Sequence, residues 1–392
     1  MKRLLQSEIV ALGLAIFSML FGAGNLVYPL AVGAFSGTKN AIGMIGFMAT
    51  AICLPLIGII TMILYNGDYE AFFRRLGKKS GDIMTLICMV IMGPLIAMPR
   101  IVTLSHSMVA PFLPFDFLSN PSMLSSFIFA LIFLGVTFLF TYRESKIVDI
   151  LGYVVSPALL ISLLYIITKG ILCADHPIYN TQTNISVLFA NLLRGYETLD
   201  LLGALFFSSI ILTILRANPD NRTKSEQQFA FVGLQGGLIG ISLLAIVYVG
   251  MSILGMYYGH GLEQAELFRG ISVRVLGDTG TLIVATAVLM ACLSTSIALA
   301  AVIAEYVQHT VFKNKINNIQ ALLITLASCL PLSTFGLSSV LALTAGPVTF
   351  VGYPVLIVLT LCNLSHKIWG TEFVRIPVLT TLLLSLSAYF YW

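Results

Sequence analysis

The chain has 392 residues, of which 58% are hydrophobic and only 10% are charged. A soluble domain is nearer ~45–50% apolar and ~25% charged, so this composition excludes a soluble enzyme, a disordered protein and a nucleic-acid-binding protein. The formal net charge of +4 is too small to indicate a polyanionic partner. We therefore predict a polytopic membrane protein that is surrounded by lipid, forms a single transport domain over residues 1–392 and binds no nucleic acid.

Eleven apolar segments are predicted to cross the membrane as helices. A spanning helix needs about 20 mostly apolar residues, and the runs are continuous rather than alternating, which excludes a membrane barrel. The first is too long and uncharged for a signal peptide. Only the turn signal from Pro331 to Gly336 separates the ninth from the tenth. The predicted spans are residues 9–32, 41–65, 83–112, 121–142, 147–171, 188–215, 228–258, 279–306, 319–335, 337–361 and 374–391.

The distribution of positive charge predicts the orientation. Most of the 21 Lys and Arg residues fall in loops on the same side as the N-terminus, and such loops face the cytoplasm. We therefore expect a protein of the bacterial inner (plasma) membrane with a cytoplasmic N-terminus. An odd number of spans then places the C-terminus outside.

The first span is predicted to be broken. It contains Phe21-Gly22-Ala23-Gly24-Asn25 and then Pro29, and glycine and proline weaken a helix. One interpretation is a small-residue face that packs against another helix. The other is a broken helix whose freed amides and carbonyls line a binding cavity.

The sixth span favours the broken-helix interpretation. Its charge-free part, Leu201 to Leu215, has 15 residues, which at ~1.5 Å each cannot cross a core of ~30 Å. The span must therefore include residues 195–200, and this places Asp200 at membrane depth. Two interrupted spans, five helices apart and opposite in direction, predict an inverted repeat of five plus five helices with a midplane site.

Ionisable and hydroxyl side chains inside the spans are candidate site residues. Asp200 is the first, because a charge at membrane depth is a functional candidate by default; a structural ion pair is the alternative. Arg100 is the second, although it could instead snorkel to the surface or pair with Asp200. In the eighth span, Ser294 and Thr295 could bond their own helix or supply oxygens to a hard cation.

These segments resemble the motifs of a known family. Residues 21–29 (FGAGNLVYP) resemble the first-helix signature of the bacterial branched-chain amino acid:cation symporters, the LIVCS carriers. Residues 93–100 (GPLIAMPR) resemble their third-helix signature, and residues 195–200 (GYETLD) their sixth. Residues 291–300 and 352–354 also match. The resemblance covers nearly the whole chain in order.

The resemblance implies a fold and a set of site residues. Such carriers belong to the all-α group with the LeuT-type fold, whose repeats would cover residues 8–172 and 188–362, with an additional helix at 372–392. It implies a sodium site formed by the carbonyls of Ser18, Phe21 and Ala291 and the hydroxyls of Ser294 and Thr295. It implies a substrate site formed by Ala23, Gly24, Asn25, Arg100, Tyr196, Thr198 and Asp200. Such carriers usually have twelve helices, so the count of eleven leaves the C-terminus and the oligomeric state open.

The predicted function is secondary transport of branched-chain amino acids, coupled to Na⁺ or H⁺. The amides of a half-helix N-terminus favour the substrate carboxylate, and either carbonyls near residues 195–198 or the Asp200 carboxylate could hold its ammonium group. No cofactor other than the coupling ion is expected. A carrier of the same fold for another amino acid or a nucleobase is the first alternative. A channel or an intramembrane enzyme is the second.

Overall fold

The computed structural model describes residues 2–112, 122–142, 156–217 and 226–391, and within these ranges every regular element is helical. The predicted start of the fourth span and residues 147–155 of the fifth lie outside them. The helices are α1 (Lys2–Leu20), α2 (Ala23–Ser36), α3 (Asn40–Met48), α4 (Leu54–Leu64), α5 (Tyr69–Arg74), α6 (Lys78–Val90), α7 (Ala97–Val109), α8 (Met123–Thr141), α9 (Ser156–Leu172), α10 (Asn184–Tyr196), α11 (Asp200–Ala217), α12 (Glu226–Tyr258), α13 (Leu267–Tyr306), α14 (Asn318–Cys329), α15 (Leu337–Leu343), α16 (Tyr353–Trp369) and α17 (Arg375–Tyr391).

Each of the eleven predicted spans coincides at least in part with a helix of the described residues. Among the described residues, seven helical stretches are long and apolar enough to cross a membrane. Four shorter apolar helices accompany them, and one of these is the first half of the first span. The ninth span is shorter than predicted, since α14 ends at Cys329, and the tenth is longer, since α16 reaches Trp369.

Both predicted breaks are present. The first span is divided into α1 and α2 by Phe21 and Gly22, and Gly22 has an extended backbone. The sixth is divided into α10 and α11 by residues 197–199, where Leu199 has a φ of 67°. A non-glycine residue with positive φ is uncommon, and it interrupts the helix here. The two breaks lie side by side, since the side chains of Asn25 and Asp200 next to them are in contact.

Two further spans are interrupted, which the sequence analysis did not predict. Non-helical backbone occurs at Gly93, between α6 and α7, and at Gly346, between α15 and α16. Each glycine is followed by a proline. Proline has no amide hydrogen and disfavours helical backbone in the residue before it, so a Gly-Pro pair bends a helix even inside a continuous apolar run.

The small residues of the first span also pack closely, as the alternative interpretation expects. A β-carbon on Gly33 of α2 would lie only 1.8 Å from the carbonyl oxygen of Ser252 in α12. Glycine at this position therefore lets the two backbones approach, as small residues do in membrane helices. Close packing on α12 and the break at residue 22 occur in different parts of the same span, and the packing holds α2 beside the site.

Candidate functional site

A small cavity of about 40 Å³ lies between the two broken helices. Its walls come from the end of α1, the first turns of α2, α7 and α11, and the second half of α13. Most of the surface is apolar, with a few polar groups at the breaks. The lining residues are Met19, Leu20, Gly22, Ala23, Asn25, Met92, Ala97, Arg100, Ile101, Thr198, Leu199, Asp200, Gly203, Phe207, Thr295 and Leu299.

Five oxygen atoms converge where the end of α1 meets α13. The Ser294 hydroxyl lies 3.2 Å from the carbonyl oxygen of Ser18 and 2.8 Å from that of Ala291. The Thr295 hydroxyl lies 3.4, 3.2 and 3.3 Å from the carbonyl oxygens of Ser18, Phe21 and Ala291. All five residues are buried. The oxygens named from the family resemblance are therefore neighbours. The residues that make these contacts between α1 and α13 lie 274 to 277 positions apart in the sequence.

The local backbone explains this convergence. Ser294 and Thr295 are adjacent on a helix, so their side chains diverge by about 100°, and only a second oxygen-rich segment between them can meet both. The last carbonyls of α1 have no helical partners because the helix stops at Leu20. The Ser18 hydroxyl, which sequence reasoning did not single out, adds a sixth oxygen 3.1 Å from that of Ser294.

The third hydroxyl of this run faces elsewhere. The Ser296 hydroxyl lies 3.0 Å from the hydroxyl of Thr137 in α8 and 3.6 Å from the sulfur of Met98. It is fully buried, as is Ser294. Ser296 therefore has the same chemistry and burial as its neighbours but belongs to a helix–helix contact.

Asp200 lies at the first position of α11, and its carboxylate is held by two side chains. The Asn25 amide donates to both carboxylate oxygens, at 2.7 and 2.9 Å, and the Tyr248 hydroxyl donates to Oδ2 at 2.6 Å. The Asn25 amide oxygen accepts the Gly22 amide at 3.0 Å. Asn25 thus connects the break of the first span to the break of the sixth.

Tyr248 is a site residue that the sequence analysis missed. It lies in the middle of α12, is fully buried, and its hydroxyl contacts both Asp200 and Asn25. The only sequence signal is a phenol inside an apolar run, which is unremarkable because aromatic residues are common in membrane spans. The partner of a buried hydroxyl is fixed by tertiary packing, which the local pattern does not contain.

Arg100 binds backbone carbonyl groups just after the C-terminal end of α10. Its two terminal nitrogens donate to the carbonyl oxygens of Glu197 at 2.7 Å and Thr198 at 3.0 Å. The residue is 4% exposed, so the snorkelling interpretation is wrong. Arg100 and Asp200 form no ion pair with each other, so direct pairing of Arg100 with Asp200 is also wrong. The guanidinium instead neutralises the negative end of a half-helix.

Gly24 makes the approach of Arg100 possible. A β-carbon at residue 24 would lie 2.8 Å from a terminal nitrogen of Arg100 and 3.1 Å from the Thr198 carbonyl oxygen. The first turn of α2, the guanidinium and the break of the sixth span therefore touch at one point. The Nε atom of Arg100 is buried without a hydrogen-bond partner among the described residues.

Two residues near the sixth-span break lie away from the cavity. Tyr196 stacks on Tyr353 at the start of α16, with ring centroids 5.3 Å apart, and is not a lining residue in this conformation. An ion pair between Arg194 and Glu197, three residues apart, could also be expected from the sequence but is not formed. Arg194 instead donates to the Asn191 side chain at 3.0 Å and lies over the Phe35 ring.

The comparisons with known proteins agree with this architecture. The family model of the branched-chain amino acid transport proteins matches residues 5–390. The chain belongs to this family. It is similar to the branched-chain amino acid permease BraB of Bacillus subtilis (strain 168), with 29% identity over 371 residues, which is 92% of this chain and 81% of that one. The chain is therefore a multi-pass secondary transporter for amino acids and not an enzyme.

Solved structures confirm the fold. The chain is similar to the inward-facing conformation of Mhp1, with a TM-score of 0.63 and 11% identity over 98% of this chain and 90% of that one. It is also similar to MhsT in complex with L-phenylalanine, with a TM-score of 0.62 and 14% identity over 97% and 98%. These proteins have the LeuT-type fold, so the prediction of that fold with broken first and sixth helices is confirmed. The exact limits of the two repeats stay a prediction.

Proposed function

We propose that this transporter imports leucine, isoleucine and valine by symport with Na⁺. The observation that supports the proposal best is the cluster of five oxygens from Ser18, Phe21, Ala291, Ser294 and Thr295. The cluster adjoins the cavity, because Thr295 belongs to both. A cation held there would bridge α1 to α13, and its binding would bias the position of one helix relative to the other.

The chemistry of the cluster favours Na⁺ over the other candidate ions. Two hydroxyls and three carbonyls are neutral hard oxygens, which suit a monovalent hard cation better than a divalent ion or a soft metal. Oxygens around a hard cation at about 2.3–2.6 Å would be ~3.3–3.7 Å apart if they meet at right angles. Two of the present hydroxyl–carbonyl separations, 3.3 and 3.4 Å, lie in that range, and the others, 2.8 to 3.2 Å, are shorter. A proton would need a titratable group, which these five residues do not supply.

The cavity suits a small aliphatic amino acid. Met19, Leu20, Ile101, Phe207 and Leu299 provide an apolar wall for an aliphatic side chain, as in most small-molecule sites. The first amides of α2, at Ala23 and Gly24, would bind the substrate carboxylate, since the first amides of a helix have no helical partners. A pocket of this kind separates leucine from valine only weakly, because one methylene is worth about 1–3 kcal/mol.

We also propose that the protein lies in the bacterial inner membrane with its N-terminus in the cytoplasm. In that orientation α1 and α11 form the cytoplasmic halves of the two broken helices. Met19, Leu20, Gly203 and Phe207 of the cavity wall lie on these halves. The present conformation would then face the cytoplasm, with Tyr196 and Tyr353 on the outer side.

Uptake by purified protein in proteoliposomes tests the proposal. Labelled leucine, isoleucine, valine, alanine and phenylalanine would be compared with an inward Na⁺ gradient, without one, and with a pH gradient alone. We expect sodium-driven accumulation of the three branched-chain amino acids. Accumulation that ignores sodium and follows the pH gradient would refute the sodium assignment and move the coupling role to Asp200. Flux without accumulation would indicate a channel.

A further inference from the structure

We propose that the Asp200 carboxylate binds the ammonium group of the substrate, and that Tyr248 and Asn25 position it for this contact. The inference rests on the proposed function and deepens it, because it assigns the binding of the substrate ammonium group to one side chain. The sequence leaves two choices for the ammonium group, the carbonyls of the sixth-span break or the Asp200 carboxylate. The contacts of Arg100 distinguish between them.

The carbonyls at the end of α10 are already occupied. Arg100 donates to the carbonyl oxygens of both Glu197 and Thr198, so an ammonium group there would have to displace a buried guanidinium or lie beside its positive charge. The Thr198 hydroxyl is also engaged, since it donates to the Gly195 carbonyl oxygen at 2.9 Å. The backbone carbonyls of Glu197 and Thr198 at this break therefore already bind a cation, the guanidinium of Arg100.

The other side-chain oxygens of the cavity have partners or belong to the ion cluster. The Asn25 amide oxygen accepts the Gly22 amide, and the Thr295 hydroxyl lies among the carbonyls of the five-oxygen cluster. Among the lining residues, Asp200 supplies the one carboxylate, and this carboxylate has spare acceptor capacity. A carboxylate has about four acceptor positions, and Asn25 and Tyr248 use three of them.

The charge of Asp200 also requires a cation. The residue is 3% exposed, lines the cavity and forms no ion pair with any described residue. A buried carboxylate without a counter-charge is costly, and an ammonium group supplies both the charge and hydrogen-bond donors. Tyr248 and Asn25 hold the carboxylate from the side of α12 and α2, so that the remaining position is presented to the cavity.

Binding of three ligands to purified protein tests the assignment. The ligands are L-leucine, 4-methylpentanoate, which lacks the ammonium group, and 3-methylbutan-1-amine, which lacks the carboxylate. Dissociation constants would be taken from ligand-induced thermal stabilisation, which also reports folding through the melting transition of the ligand-free protein. The variants are Asp200→Asn and Tyr248→Phe. Tyr65→Phe is the control, because it removes a buried hydroxyl that contacts Asn363 away from the cavity.

In the unmodified protein we expect 4-methylpentanoate to bind far more weakly than leucine. In Asp200→Asn the leucine constant should rise by about tenfold or more, as for the loss of a hydrogen bond to a charged group, while 4-methylpentanoate should bind as well as before or better, because the repulsion between two carboxylates is removed. A merely structural role of Asp200 would weaken all three ligands alike. Tyr248→Phe should raise the dissociation constants of leucine and 3-methylbutan-1-amine by one common factor and leave that of 4-methylpentanoate unchanged.

Equal losses for all three ligands in both variants would overturn the inference, as would an unchanged ratio of leucine to 4-methylpentanoate. If Asp200→Asn shows no melting transition, Tyr248→Phe decides the question by the same ratio. If leucine, isoleucine and valine all fail to stabilise the unmodified protein, this result would instead overturn the proposed function, and the inference with it. The two failures are therefore distinguishable.

Discussion

The sodium assignment makes the sharpest prediction, because three consecutive residues of α13 include two test positions and a control. Ser294→Ala and Thr295→Ala each remove one of the five oxygens that would surround the ion. Ser296→Ala removes a hydroxyl of equal size and burial that faces Thr137. All three variants lose one buried hydroxyl group together with its hydrogen bonds, so a general loss of stability would affect them similarly.

The expected magnitude follows from the number of oxygens lost. A hydrogen bond or similar contact to a charged group contributes about 1.5–3 kcal/mol, and each 1.4 kcal/mol is about a factor of ten in a binding constant. Ser294→Ala and Thr295→Ala should therefore each raise the sodium concentration for half-maximal leucine uptake by about 10- to 150-fold. Ser296→Ala should leave it within about twofold, since its partners lie outside the cluster.

The assay is initial-rate leucine uptake into proteoliposomes at a series of external sodium concentrations, with the amount of inserted protein measured in each preparation. Thr295→Ser, which keeps the oxygen, should recover most of the sodium affinity lost in Thr295→Ala. If Ser296→Ala raises the sodium concentration for half-maximal uptake as much as the other two variants, the reasoning is refuted, because the effect would then follow from helix packing. So would unchanged sodium dependence in both Ser294→Ala and Thr295→Ala.

Three further predictions concern the cavity and the topology. Gly203→Ala would place a β-carbon 3.3 Å from the Phe207 ring and narrow the cavity. In competition uptake, the rate of leucine uptake relative to that of valine should therefore fall about tenfold. An equal fall in the uptake of both amino acids would contradict a side-chain pocket there. Gly24→Ala should displace Arg100 from the sixth-span break. The effects of Gly24→Ala and Arg100→Lys on leucine uptake should therefore be strongly non-additive in the double variant. Additive effects would show that the two residues act independently. A reporter fused to the C-terminus should be active only outside the cell, and cytoplasmic activity would mean that the orientation or the number of spans is wrong.

The sequence predicted the features that depend on composition and local breaks. Fifteen apolar residues after Asp200 cannot cross a bilayer, so the span had to include residues 195–200 and was expected to be interrupted there. The Gly-Ala-Gly run predicted the break at Phe21 and Gly22. The breaks at Gly93 and Gly346 were missed because a single Gly-Pro pair in a long apolar run also occurs in bent but continuous helices. Both missed breaks share this dipeptide, which was the available signal.

The partners of the buried charges could not be predicted from local pattern. Arg100 and Asp200 were both identified as charges at membrane depth, and the simplest expectation was that they pair with each other. The structure gives each a different partner, backbone carbonyls for Arg100 and neutral side chains for Asp200. Which choice is made depends on the relative positions of four helices, and Tyr248 enters only because α12 packs against α2.

The contact between Arg100 and the sixth-span break has a consequence for biosynthesis. The carbonyl groups that receive the guanidinium lie 97 and 98 residues later in the chain. At about 5–20 residues per second, the ribosome needs roughly 5–20 s to deliver them after Arg100 itself has been made. During that interval α7 carries a charge with no partner, which costs about 2.5–3.5 kcal/mol at the centre of a bilayer. The third span must therefore wait at a hydrated site or at the membrane surface until α10 arrives, and its final insertion is coupled to the second half of the protein.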